Sequence, residues 1–98
     1  MNVIETCVTI INNVLGVSRD DLYGVHRDSE LVDARFIFAH LCSVNNIKGN
    51  RIAMCMGKNP NSISYYINTY KQRVMKNCYF KEKAYLCESK FNELRKNG

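Results

Sequence analysis

From residue 58 onward the chain places Lys58, Asn59, Asn61, Ser62, Tyr65, Asn68, Thr69 and Gln72 around the start and one side of a single helix. Amide side chains on such a face can bond an adenine edge with two hydrogen bonds, and a tyrosine can stack or reach a phosphate. Lys58 and Ser62 flank the helix start, where backbone N–H groups also favour a phosphate. An ordinary solvated polar face with simple capping accounts for the same residue types. The local context favours the first reading, with Asn61 best placed to read a base.

That context is a short helix, a tight turn and a second helix. Ile52, Ala53 and Met56 face Ile63, Tyr66, Ile67 and Tyr70 at i, i+3, i+4, i+7 spacing. Gly57 suits the left-handed residue that ends the first helix. Asn59 is a good N-cap, and Pro60 fits the first helical position, where its missing N–H costs nothing. The second helix runs to about Lys76. This is the build of a helix-turn-helix, whose second helix enters the major groove of DNA. Lys48, Arg51, Lys71 and Arg73 are plausible contacts to the phosphate backbone.

The remaining segments are helical too. Ile4, Cys7, Val8, Ile11, Val14 and Leu15 mark one face of an opening helix closed by Gly16. Val17 to Leu22 reads as a short capped turn, with Ser18 as N-cap and Asp21 three residues on. Ser29 can cap a long helix to about Val44, with Leu31, Ala34, Phe38, Leu41 and Cys42 inward. A last helix over residues 80–96 carries Phe80, Ala84, Cys87, Phe91 and Leu94 on one stripe. The chain of 98 residues therefore reads as one domain, an all-α bundle of about five helices around one core.

Charge is uneven. Residues 1–33 hold two basic against six acidic side chains, whereas residues 34–98 hold twelve against three. The basic part contains the two-helix unit, and such a gradient suits a polyanion partner. The five cysteines, Cys7, Cys42, Cys55, Cys78 and Cys87, lie far apart without a C-x-x-C pair. Zinc is not expected, and no cofactor is called for. Cys7, Cys42 and Cys87 fall on apolar stripes, as buried free thiols do. The odd cysteine count and the lack of a secretory or membrane-spanning stretch predict a reducing cytoplasm and no membrane association. His26 and His40 have no partner arrangement, and no catalytic constellation or small-molecule site is recognisable, so an enzyme is not expected.

In order along the chain, these pieces resemble the C-terminal DNA-binding domain of the bacterial replication initiator DnaA. Ile4 to Leu22 (IETCVTIINNVLGVSRDDL) is similar to that domain's opening helix and its G-V-S-x-x-D-L turn. Arg27 to Leu41 (RDSELVDARFIFAHL) resembles the segment in which an arginine precedes a long helix bearing an Ala-Arg pair, here Ala34-Arg35. Ile52 to Ile63 looks like the signature turn and recognition helix, and Cys78 to Leu94 like the closing helix. The resemblance implies a fold of the Trp-repressor or DnaA C-terminal type. It also implies a phosphate contact from Arg35 and a minor-groove contact from Arg27.

Departures from the pattern matter. The family's signature runs roughly Gly, basic, Asp, His, two hydroxyl residues, aliphatic; this chain has Gly57, Lys58, Asn59, Pro60, Asn61, Ser62, Ile63. Pro60 replaces the base-reading histidine, Asn61 the first hydroxyl, and Phe36 the usual glutamine after the Ala-Arg pair. The domain is expected to stand without the initiator's ATPase module. The expectation is a free-standing, monomeric, nucleoid-associated double-stranded DNA-binding protein, a regulator or accessory factor in replication or transcription with possible protein partners. Its rival is an interaction adaptor that kept the fold and lost DNA, favoured by the missing histidine and the acidic N-terminal third.

Overall fold

The computed structural model describes residues 2–97, with side chains to Arg95. Six helices follow one another: α1 (Val3–Leu15), α2 (Arg19–Tyr23), α3 (Ser29–Val44), α4 (Gly49–Met56), α5 (Pro60–Lys76) and α6 (Cys78–Asn97). There is no strand among the described residues. The helix beyond the expected five is α2, capped by Ser18, whose Oγ accepts the Asp21 N–H at 3.2 Å; its first turn holds Asp20 and Asp21.

Helix ends follow local chemistry. Asn2 Oδ1 accepts the Ile4 N–H at 2.9 Å, and Gly16 closes α1 at φ 70°. Gly57, at φ 65°, ends α4, and the Lys58 N–H turns back onto the Ala53 carbonyl at 3.0 Å. Asn59 caps α5 by accepting the Asn61 N–H at 2.8 Å, with Pro60 as the first helical residue. The expected cap at Ser29 is displaced by one residue: Asp28 holds the cap position without a side-chain bond, and Ser29 is already helical. α6 begins earlier than residue 80 because the Asn77 side chain accepts the Phe80 N–H at 3.0 Å.

α3 runs through the middle and packs on every other helix, against α5 and α1 above all. It is buried nearly all round, from Asp33 to Cys42 with only His40 partly open. Ala34, Phe38, Leu41 and Cys42 are inward as expected, and so are Phe36, Ile37 and Ala39. The α6 stripe of Phe80, Ala84, Cys87 and Phe91 closes the core from one side, while Ile52, Met56 and Ile63 fill it beneath the α4–α5 turn. Cys7, Cys42 and Cys87 are fully buried free thiols, whereas Cys55 and Cys78 are exposed.

Two polar devices tie α3 to its neighbours. Asp33, 7% exposed, accepts Arg73 Nη2 of α5 at 2.7 Å and Lys83 Nζ of α6 at 3.3 Å. The Arg73 guanidinium lies 4.6 Å from the Phe36 ring centroid and 5.3 Å from that of Phe80. His40 stacks on Tyr70 at 3.7 Å and bonds Glu88 at 2.8 Å. No described helix is long and apolar enough to cross a membrane.

Candidate nucleic-acid interface

The start of α5, the turn before it and the loop after α2 surround one open cleft of about 610 Å³. Eight of the residues singled out in the sequence as DNA contacts line it: Arg27, Arg35, Lys58, Asn59, Asn61, Ser62, Tyr65 and Arg73. These residues come from three separate stretches of chain, brought together because α3 and α4 both pack on α5. Asn68 is exposed further along α5, outside the cleft.

The α5 wall is polar at its outer edge. Asn61, Tyr65, Asn68 and Gln72 are exposed, Ser62 and Thr69 half-buried, and Ile63 and Tyr70 buried. Tyr65 is 58% exposed and leans its ring edge-on against Phe36 at 5.7 Å between centroids. Tyr66 packs on the same Phe36 at 4.9 Å. Phe36, standing where the resemblance expects a glutamine, is 2% exposed and supports both tyrosines from the floor.

The backbone at the start of α5 does not offer the free donors that the sequence suggests. Pro60 has no N–H, the Asn61 N–H is taken by the Asn59 side chain, and the Ser62 N–H reaches the Asn59 carbonyl at 2.9 Å. Attraction for an anion at this end must come from side chains.

Arg35 sits differently from the expectation of a phosphate contact. It is 3% exposed, and neither Asp33 nor Glu30 pairs with it. Its Nε donates to the Leu22 carbonyl at 2.9 Å, Nη2 to Asp21 at 2.8 Å and Nη1 to His26 at 2.6 Å. The guanidinium thus satisfies three backbone acceptors at the end of α2 and in the loop that follows, an internal task that accounts for its burial.

Lys58 also has an internal partner. Its Nζ donates to the Gly24 carbonyl at 2.8 Å across the mouth of the cleft. Burial lowers its pKa from the usual lysine range, and the neighbouring charges of Arg35 and Arg27 lower it further. Among the described residues, no carboxylate comes within ion-pair distance of Arg27, Arg35 or Lys58. These three cations therefore gather positive charge at the cleft with no ion-pair partner among the described residues.

Sequence reasoning did not pick out Val25, Val32, Phe36 or Tyr66 as part of this site. Val25 is 84% exposed beside Arg27, and an apolar residue in a polar loop was the available signal. Arg73, expected as a backbone contact, borders the cleft but is neutralised by Asp33. No protein-family model, curated protein or solved structure matches this chain.

Proposed function

We propose that this protein binds double-stranded DNA with a sequence preference, presenting the first turns of α5 to the major groove. The observation that carries this reading is the convergence of Arg27, Arg35 and Lys58, none of them ion-paired among the described residues, on the cleft beside that helix start. In this reading Arg27 reaches into the adjacent minor groove, and the exposed Asn61, Tyr65 and Asn68 face base edges or the groove wall. Exposed Lys48, Arg51 and Lys71 supply further phosphate contacts. Pro60, without a side-chain donor, moves base discrimination to Asn61. The protein then serves as a monomeric, nucleoid-associated regulator or accessory factor in replication or transcription, as a free-standing relative of the DnaA C-terminal domain would.

Titration with a random-sequence duplex tests the reading. With about four phosphate contacts, micromolar binding at low salt should weaken with log K falling against log salt at a slope of roughly −3 to −4. No binding at low ionic strength refutes it. An interaction adaptor is the second reading, favoured by the exposed apolar strip of Tyr79, Tyr85 and Leu86 on α6. A chain that folds but does not bind DNA would select it.

A further inference from the structure

The loop from Gly24 to Asp28 carries two exposed residues of the cleft rim, Val25 and Arg27, and has no regular structure of its own. It is nevertheless held from two sides. From within, Arg35 bonds the carbonyls of Asp21, Leu22 and His26. From across the cleft, Lys58 bonds the carbonyl of Gly24 at 2.8 Å. A third constraint is steric. A Cβ on Gly24 would lie 2.8 Å from the Asp20 carbonyl oxygen, so only glycine fits where the chain leaves α2.

Lys58 follows Gly57 in the turn that launches α5, and Gly24 opens the loop, 34 residues earlier in the chain. We infer that Lys58 is a positioning residue, a latch that fixes the loop of Val25 and Arg27 beside the first turn of α5. Helix and loop then meet one DNA duplex as a single preformed surface, a role that rests on the DNA-binding reading above. A lysine serving only as a phosphate contact would gain by standing in solvent. This one lies among two arginines and is half-buried, with its ammonium on a carbonyl. Preorganisation of this kind lowers the ordering cost of binding without adding a contact to the nucleic acid.

Two measurements on the full chain test the latch. In the free protein, 15N relaxation should give rigid order parameters, about 0.85, at Val25 and Arg27, falling below about 0.6 in Lys58→Met. Gly24→Ala, which displaces the residue whose carbonyl Lys58 holds, should do the same while the helical circular dichroism of both variants stays native. Unchanged order in Lys58→Met overturns the latch, whatever the DNA result.

The second measurement is a double-mutant cycle on a random-sequence duplex. Lys58→Met should weaken binding about tenfold in the native background and less than twofold when Arg27 is already alanine, because the latch acts through Arg27. Arg27→Ala should lower the salt slope by about one and Lys58→Met should add nothing to that change. Independent, multiplying losses with a separate slope change for each residue would make Lys58 a direct phosphate contact and overturn the inference. If the native chain binds no duplex, the DNA-binding reading fails, and the relaxation data alone decide the latch.

Discussion

Arg35→Met removes a charge from the cleft, and the outcome separates two roles for that arginine. A phosphate contact would cost affinity and leave stability alone. The structure supports the opposite order. The guanidinium donates three hydrogen bonds of 2.6 to 2.9 Å to backbone carbonyls, and the bond to Leu22 is buried while the other two are partly open. A bond from a charged donor contributes about 1.5–3 kcal/mol, and an acceptor left bare in the interior costs about as much. Water can replace the guanidinium at Asp21 and His26, so the full penalty falls on Leu22 alone. The expected loss is then about 3 kcal/mol. For a domain of this size that lowers Tm by roughly 12–24 °C, at about 4–8 °C per kcal/mol. Methionine keeps much of the apolar stem, so the loss reports the polar head. Arg35→Lys should recover little, because one ammonium cannot span three carbonyls. Thermal and urea unfolding followed by circular dichroism give the answer. A variant that melts within a few degrees of the native chain yet binds DNA less tightly would refute this reasoning and return Arg35 to the phosphate role.

Asn61→Ala should cost about 1–3 kcal/mol on the best duplex selected from random sequences and little on random DNA, the mark of base readout. Equal losses on both would mean that α5 is misplaced in the groove, and the selected site should differ from the initiator's usual box because Pro60 cannot donate. A thiol reagent should modify Cys55 and Cys78 quickly and leave Cys7, Cys42 and Cys87 untouched until the protein unfolds, since these three are fully buried. Burial pushes the Cys87 thiol up to about 12, and a hydrogen bond with Cys7, together with burial, raises that of Cys42. Helical circular dichroism should be unchanged by chelator or reductant, and a marked loss under either would mean that metal or disulfide holds the fold.

The elements of this fold were legible where the cause is local. Gly16 and Gly57 take the left-handed conformation at the helix ends where the pattern places them, and Asn59 with Pro60 opens α5 as its chemistry requires. Such signals span a few residues and need no knowledge of the rest of the chain. The shift from Ser29 to Asp28 shows their resolution, since two adjacent residues can each cap and only packing decides which one does.

What escaped the sequence is the interior of α3. A single apolar stripe presupposes one wet side, and a helix packed on five others has almost none. The partners of Asp33 and Arg35 were therefore not legible in the spacing of the helix. Asp33 finds its partners 40 and 50 residues later, in Arg73 and Lys83. Arg35 finds backbone carbonyls, which every residue carries and no side chain announces. The same blindness covers Lys58, whose acceptor belongs to a glycine. Lys58, Asn59, Asn61, Ser62 and Tyr65 of the cleft were thus readable from charge, amides and spacing, and Arg27 and Arg35 only through the resemblance, but the division of labour among its cations was not. That division follows from which backbone oxygens lie within about 3 Å of each cation once the helices have packed. In this protein Arg35 and Lys58 hold the loop, and Arg27 is left exposed at its rim.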